Sequence, residues 1–345
     1  MPLAEVMIGV MWAGLTAYVL FAGADFGGGV WDLLSGGAAS GRRRRELIEH
    51  SIGPVWEANH VWLIFVIVLM WTGIPGVFAA VASTLYIPLT LAALGIIARG
   101  AAFAFRKVST ELWQRRLFGA AFAFSSVATP FFLGTVAGAI ASGRVPAGIA
   151  AGNVVSSWLN PTSAITGALA VGAAAYLAAV YLTRDAQRAG EDGLAEEFRR
   201  RALACGAVVG LLSAAGLLVL RADAPRLFAE LTGGRALPLL ALSVAAGLVS
   251  LALLWRRAYL AVRLTAALAV TGLLWGWGVG QYPDLLPGVT LEDAAATSGV
   301  LAATLGALAV GAVLLLPSLW WLYATFQRDR TGPPHERDDS ALRNE

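Results

Sequence analysis

The sequence has 345 residues, of which 58% are hydrophobic and only 14% are charged, and its formal net charge is +3. Soluble domains are about 45–50% apolar and about 25% charged, so this composition excludes an ordinary soluble protein and indicates a polytopic membrane protein. The basic residues are spread through loops, which excludes a nucleic-acid-binding face, and the single cysteine, Cys205, excludes an intrachain disulfide or a multi-cysteine metal site.

Nine apolar segments of about 20 residues or more predict nine membrane-spanning helices. They cover residues 6–34, 54–73, 76–104, 116–142, 161–183, 202–220, 237–254, 259–279 and 300–326. The first is overlong and is expected to leave the membrane near Asp32. The predicted fold class is an all-α polytopic membrane protein, with the helices bundled in a single domain, residues 1–326. The charged tail, residues 327–345, is predicted to be disordered.

The distribution of positive charge predicts the side of the membrane on which each loop lies. If nine helices alternate, the loops after helices 1, 3, 5 and 7 and the C-terminal tail share one side. That side then holds 21 of the 25 Lys and Arg residues. Because positive residues mark the cytoplasmic face, we expect the N-terminus outside and the C-terminus in the cytoplasm.

Three ionisable side chains lie inside segments that are otherwise lipid-soluble. Asp25 lies in AYVLFAGADFGGGVWDLL, and Glu57 and His60 lie in SIGPVWEANHVWLIFVIVLM. A charge at the centre of the bilayer costs about 2.5–3.5 kcal/mol or more, so such residues usually face a bundle interior and mark an ion, proton or substrate path. The chain is therefore a candidate proton handler.

Helix geometry predicts that these residues meet. Asp25 lies seven residues inside Asp32, and Glu57 lies six residues beyond Ser51. At 1.5 Å per residue, both acids lie about 10 Å deep on adjacent antiparallel helices. His60 shares a helix face with Glu57, so the sequence predicts a ladder from Asp32 through Asp25 and Glu57 to His60.

Structural interpretations of the same acids stay open. Pro54 is suited to the first position of the second helix, which would place Glu57 in the first turn as an interfacial residue that favourably meets the helix dipole. Asp25 could serve as a structural partner of Arg99 or Arg106, because their helix ends on the same side of the membrane.

The polar and aromatic residues around the acids also allow two interpretations. The glycines of residues 27–29 predict either an irregular turn or the close approach of another helix, since each Gly costs about 1 kcal/mol in a helix relative to Ala. Trp56 and Trp62 are predicted to be packing residues. Asn59 is predicted to satisfy a neighbouring polar group.

His60 could in principle bind a metal or a haem. The other two histidines, His50 and His335, fall in a loop and in the tail, which excludes bis-histidine haem ligation. Ligation by His60 with a methionine is left open through Met7, Met11 or Met70. A hydrogen-bonding or proton-relay role is the favoured interpretation, so we expect no cofactor and no metal on this chain.

Two segments together resemble subunit II of cytochrome bd-type quinol oxidases. The first is GADFGGG at residues 23–29, and the second is HSIGPVWEANHVWLI at residues 50–64. The second is the more specific, because two Trp residues bracket an acid and an Asn after a Gly-Pro helix start. Beyond about residue 110 the resemblance is one of length and span count.

The resemblance implies an enzyme complex in the bacterial cytoplasmic (inner) membrane, in which a multi-pass subunit II pairs with a homologous subunit I. Subunit I carries the quinol-oxidising loop, two b-type haems and one d-type haem, or a third b-type haem in place of the d-type. Subunit II is then a scaffold without haem and is inactive alone. The expected partners include lipid and quinone, whereas a small single-span accessory subunit and a structural quinone are left open.

The resemblance also implies roles for particular residues. Asp25 and Glu57 match the acids of a cytoplasmic proton path towards the oxygen-reducing haems, and some members have Asp where this chain has Glu57. The predicted supporting residues are His60, Asn59, Trp56, Trp62, Asp32 and Arg99.

The alternative interpretation is a proton-coupled secondary transporter. Such a protein would also bury acids and interrupt helices with glycine near a midplane site, and it should show inverted repeats. The sequence shows no convincing internal repeat and one candidate interruption, next to Asp25.

Overall fold

Apolar helices make up most of the computed structural model, which describes residues 2–37, 40–52, 56–109 and 111–328. The helices are α1 (Pro2–Leu33), α2 (Arg42–Ile52), α3 (Trp56–Gly73), α4 (Pro75–Thr84), α5 (Tyr86–Val108), α6 (Leu112–Ala141), α7 (Pro161–Arg188), α8 (Asp192–Asp223), α9 (Pro225–Thr232), α10 (Leu237–Trp255), α11 (Tyr259–Gln281), α12 (Leu291–Ala294) and α13 (Ser298–Arg328). Two short antiparallel strands, β1 (Asp284–Leu286) and β2 (Val289–Thr290), precede α12. The predicted all-α class is confirmed.

Eight helices within the described ranges are long and apolar enough to cross a membrane. The count rises to nine if the bent pair Asn59–Gly73 and Pro75–Thr84 is one span. This agrees with the prediction of about nine spans. The predicted orientation of the termini stays a prediction.

The predicted third span, 76–104, is wrong at its start. The chain bends by 119° between α3 and α4, and α5 begins only at Tyr86. Pro75 occupies the first turn of α4, where its missing N–H breaks the hydrogen bonding of a continuous helix. A second break follows at Leu85, whose φ of −105° and ψ of 26° are not helical. Apolar composition alone concealed both breaks.

The Arg-rich segment after α1 forms an amphipathic helix, α2, which sequence analysis treated only as a loop. Leu47 and Ile48 are buried, whereas the arginines face outward or form ion pairs. Arg43 pairs with Glu191 at the start of α8, and Arg44 Nε lies 2.6 Å from Glu197. These contacts hold α2 against the ends of the membrane helices.

Helix α1 packs closely against α6 and α7 through its glycines. A Cβ atom at Gly27 would lie 1.9 Å from the carbonyl oxygen of Ala174, and one at Gly29 would lie 2.1 Å from Ser126 Oγ. Since α1 is helical throughout Pro2–Leu33, an irregular turn at these glycines is wrong and close helix packing is confirmed. The helix interruption next to Asp25, which the transporter interpretation required, is therefore absent from the described α1.

The main core lies between the helices of residues 1–296. Its largest cluster of buried apolar side chains joins α1, α2, α7, α8, α10 and α11 and includes Trp31, Phe198 and Val262. A second unit begins at Thr297, and its described part contains α13, which runs through Pro317. The single-domain organisation of 1–326 stays a prediction, and the tail after Arg328 lies outside the described residues.

Candidate functional site

The centre of the candidate site is a buried ion pair between α1 and α5. Arg99 Nη1 donates to Asp25 Oδ2 at 2.9 Å, and Arg99 Nη2 donates to Asp25 Oδ1 at 2.6 Å. Nη2 also donates to the Asp25 carbonyl oxygen at 3.2 Å. Asp25 is 4% exposed and Arg99 is 1% exposed. Of the two partners considered for Asp25 from the sequence, the structure places Arg99 there.

The remainder of the Arg99 guanidinium is also engaged. Its Nε donates to Ser126 Oγ at 3.0 Å, and the Ser126 hydroxyl in turn donates to the Phe122 carbonyl. The Arg99 Cζ atom lies 5.1 Å from the centre of the Phe26 ring and 4.8 Å from that of Phe122. Cation–π contacts of this kind gain strength away from water. The buried guanidinium charge is therefore stabilised by a carboxylate, a hydroxyl and two aromatic rings.

A second pair lies seven residues further along both helices. Arg106 Nη1 donates to Asp32 Oδ2 at 2.6 Å, and Arg45 Nε of α2 lies 2.9 Å from Asp32 Oδ1. Arg106 Nη2 also lies 3.2 Å from Glu49 Oε1. Seven residues span about 10 Å of helix. The two Asp–Arg pairs therefore form successive rungs between α1 and α5, and we refer to them as the charge ladder.

The ladder follows a buried stripe on α1. Met11, Tyr18, Asp25 and Asp32 recur at intervals of seven residues, and all four are buried. Because seven residues make nearly two full helical turns, such a series stays on one helix face. The half of the stripe nearer the N-terminus carries an apolar and a weakly polar side chain, and the other half carries the two acids.

The residues predicted on the second helix approach α1 next to the ladder. The His60 ring lies 5.9 Å from the Phe26 ring and 6.3 Å from the Tyr18 ring, measured between centroids. Asn59 is buried, and its Nδ2 donates to the Phe21 carbonyl at 3.4 Å. This contact agrees with the role expected of Asn59.

Trp62 packs beside the same group of residues. Its ring meets the Phe65 ring edge to face at 6.1 Å, and it borders the apolar cluster of Tyr18, Ala22, Phe26 and Ala174. These contacts are those of a packing residue, and the supporting role of Trp62 in the site stays a prediction.

The backbone places Glu57 in the first turn of α3, but the side chains of Trp56 and Glu57 lie outside the described residues, as does all of Pro54. The predicted meeting of the Glu57 and Asp25 carboxylates therefore stays a prediction. The Asn59–Phe21 contact shows that the start of α3 runs beside this part of α1.

Several members of the site were not predicted from the sequence. Ser126 and Phe122 of α6 complete the surroundings of Arg99, and Arg45 and Glu49 of α2 complete those of Asp32. Tyr18 was also missed, although its spacing of seven residues from Asp25 is visible in the sequence. Nothing local in α6 distinguishes Ser126 from the other small polar residues of that helix.

The expectation that this chain holds no haem stays a prediction. The His60 ring is bounded by the rings of Tyr18 and Phe26, and Met7 packs against Gly73 at the other end of α3. The described residues contain no group of three or more His, Cys, Asp and Glu side chains that could hold a metal ion.

Comparison with known proteins identifies the family. Residues 3–326 match the family described as cytochrome bd terminal oxidase subunit II. The chain belongs to this family. The subunit II segments singled out in the sequence thus lie within a match that spans nearly the whole chain. Together with its apolar helices, membership makes the chain a multi-pass protein of the bacterial cytoplasmic membrane.

Two individual relatives extend this result. The chain is 31% identical to cytochrome bd ubiquinol oxidase subunit 2 of Bacillus subtilis (strain 168) over 132 residues, which are 38% of this chain and 37% of that relative. It also resembles a chain in the structure of bd oxidase from Geobacillus thermodenitrificans, with a TM-score of 0.71 and 24% identity. That match covers 94% of this chain and 99% of the other. At this identity the structural likeness shows the fold alone.

Proposed function

We propose that this chain is a subunit of a membrane quinol:oxygen oxidoreductase of cytochrome bd type and is inactive alone. Its membership of the subunit II family over residues 3–326 supports this role. Its partner is a homologous subunit I that holds two b-type haems and one d-type haem, or a third b-type haem. Those haems supply the electron transfer and the oxygen-binding site, and the present chain scaffolds subunit I.

The observation that carries the proposal is the buried charge ladder. Reduction of oxygen to water consumes protons, and a proton crossing a low-dielectric interior needs ionisable groups or water along its route. Intramembrane ionisable residues are costly and are usually retained for such paths. The ladder leads from the partly exposed Arg106 and Glu49 to the fully buried Asp25. With the proposed orientation, its exposed end faces the cytoplasm.

The closed geometry of the inner rung sets a condition on proton transfer. Both carboxylate oxygens of Asp25 accept N–H donors from Arg99, and the guanidinium charge beside them favours the ionised carboxylate. Opening one of these contacts would make it easier for the carboxylate to take up a proton. Arg99 would keep its contacts with Ser126 and the two Phe rings during that opening. Asp25 therefore acts as a gated station on the path.

Glu57 is the second proposed acid on the path. Its position in the first turn of α3, two residues before Asn59, brings its backbone beside the part of α1 that carries Asp25. His60 lies one turn further along the same face and takes a supporting role. Quinol and lipid are the remaining proposed partners, and a structural quinone or a small accessory subunit would add to the same complex.

The test begins with co-expression of this chain and a homologous subunit I. A coloured complex with a reduced haem spectrum and quinol-driven oxygen uptake supports the oxidase. A colourless protein that moves a solute supports the transporter instead.

Within the active complex, Glu57→Gln should slow oxygen uptake at least several-fold without loss of assembly. Glu46→Gln is the matched control, because Glu46 lies on the exposed face of α2 and pairs only with exposed Arg42 in the described structure. Equal turnover in both variants would remove Glu57 from the proton path.

A further inference from the structure

Three buried polar atoms near the ladder have no hydrogen-bond partner among the described residues. They are Tyr18 Oη, Asn59 Oδ1 and His60 Nδ1. Tyr18 is 5% exposed and Asn59 is 2% exposed. Each such unsatisfied group costs about 1–3 kcal/mol if it stays dry. Three of them on neighbouring side chains point to a shared partner.

The three side chains lie where α3 runs beside α1. The rings of Tyr18 and His60 lie 6.3 Å apart, and Asn59 adjoins His60 in sequence. The Asn59 amide nitrogen reaches the carbonyl of Phe21, which lies three residues from Tyr18 on α1. Phe26 borders His60 on the side towards the Asp25–Arg99 pair.

The chemistry of these atoms fits water. A phenol hydroxyl can donate and accept, an amide oxygen accepts, and an imidazole nitrogen can do either according to its tautomer. Buried water usually makes about three hydrogen bonds to groups that are otherwise unsatisfied. The enclosing side chains bring no additional positive charge, so they favour a neutral ligand over an anion.

We infer that Tyr18, Asn59 and His60 enclose a bound-water site that continues the proton path beyond the Asp25–Arg99 pair, with Tyr18 as the residue that positions the water. The existence of the water site stands independently of the proposed function. Its place on the proton path rests on that function. Tyr18 lies seven residues from Asp25 on the buried stripe of α1, so the site extends the ladder by a further two helical turns.

Tyr176 of α7 is a matched control within the same chain. It is 6% exposed, close to the value for Tyr18, but its hydroxyl lies within hydrogen-bonding distance of Ser250 Oγ. The two tyrosines therefore share burial and differ in whether the protein itself satisfies the hydroxyl. A difference between them in labelling rate, or in the effect of substitution by Phe, therefore reports on the hydrogen-bond partner of Tyr18 and not on burial.

The first experiment is X-ray radiolytic labelling of the purified full chain in its membrane complex, read by mass spectrometry. Hydroxyl radicals formed from bound water oxidise the side chains beside it, so Tyr18 should be labelled at least several-fold faster than Tyr176. Labelling of Tyr18 as slow as that of Tyr176 would overturn the water site. This readout does not depend on oxidase activity.

The second experiment compares Tyr18→Phe with Tyr176→Phe in the same complex. Tyr18→Phe should slow quinol-driven oxygen uptake several-fold and enlarge its solvent deuterium isotope effect, whereas Tyr176→Phe should leave both unchanged. If the pocket holds no water, Tyr18→Phe should raise the melting temperature of the complex, because it removes a buried hydroxyl that has no hydrogen-bond partner. Unchanged uptake with fast labelling would keep the water site and overturn its place on the path.

The failure of the proposed function gives a different pattern. A complex without haem and without oxygen uptake would end the oxidase proposal, and the path with it, whatever the variants do. The labelling of Tyr18 would still decide whether water is bound there.

Discussion

Two arginine–aspartate pairs with the same bidentate geometry lie in very different surroundings. Asp25 and Arg99 have side chains that are 3% and 1% exposed, whereas those of Asp223 and Arg144 are 16% and 32% exposed. Arg144 Nη1 donates to Asp223 Oδ2 at 2.9 Å, and Thr162 also donates to that carboxylate. The free-energy cost of opening an ion pair therefore follows from its burial and not from its hydrogen-bond geometry.

The difference has a physical consequence for each pair. Near the loop, the hydrogen bond to Asp223 raises the pKa of Arg144, and water remains available to either group if the pair opens. In the interior, an opened Asp25–Arg99 pair leaves two charges in a low dielectric away from bulk solvent. The Asp223–Arg144 pair is thus suited to fastening a loop to a helix end, and the Asp25–Arg99 pair is suited to controlling when a proton can pass.

The largest expected effect is the loss of one inner partner. Asp25→Asn leaves the Arg99 guanidinium buried without a counter-charge, so we expect the complex to lose about 3–5 kcal/mol of stability and most of its turnover. Thermal unfolding of the purified complex and quinol-driven oxygen uptake measure the two effects.

A double variant separates structure from proton transfer at this pair. Asp25→Leu combined with Arg99→Met replaces the ion pair by apolar side chains, a change that is often neutral or stabilising. Stability should return towards that of the unmodified complex while turnover stays low. Recovered turnover would show that the pair serves packing alone.

The next effect concerns the closeness of the helices around the inner pair. Gly27→Ala would place a methyl group 1.9 Å from the Ala174 carbonyl oxygen, so α1 and α7 would have to separate, at a cost of about 3 kcal/mol. Gly9→Ala on the same helix is the control, because a Cβ atom there would meet nothing within 4 Å. Equal melting temperatures for the two variants would contradict the close packing of α1 against α7.

These residues also show how much of the site could be predicted from the sequence. The depth of Asp25 and its separation from Asp32 follow from helix geometry, and Arg99 and Arg106 were both recognised as candidate partners. Their assignment to one acid each depends on the register of α1 against α5. Gly27 and Gly29 pack against α7 and α6, which are distant in sequence, and no local pattern encodes the register of α1 against α5.

The breaks around α4 show a different limit. Pro75 was visible in the sequence, but a hydropathy window treats a kinked apolar segment and a straight one alike. The contribution of α2 was hidden for the opposite reason, since its arginines lower the mean hydropathy although Leu47 and Ile48 are buried. Contacts with Ser126 arise between helices far apart in sequence and could not be anticipated.

A moderate effect is expected at the outer rung of the ladder. Asp32→Asn removes the counter-charge of Arg106 and Arg45, but both arginines are partly exposed and Arg106 keeps Glu49. We expect a loss of about 2 kcal/mol, in the range for hydrogen bonds to charged groups, and a smaller fall in oxygen uptake than for Asp25→Asn. A fall as large as that for Asp25→Asn would mean that Asp32 is a required proton entry.

The smallest effect is expected for the exposed comparison pair. Arg144→Gln keeps a polar side chain near Asp223, which retains its hydrogen bond from Thr162, so the loss should be about 1 kcal/mol or less, as for solvent-accessible ion pairs. Oxygen uptake should be unchanged, because Arg144 lies in the loop after α6 and Asp223 lies at the end of α8, and neither residue contacts the acids or arginines of the ladder in the described structure. A loss equal to that of Asp25→Asn would mean that burial does not distinguish the two pairs, since their bidentate geometry is the same. The gating proposed for Asp25 would then have no physical basis in its surroundings.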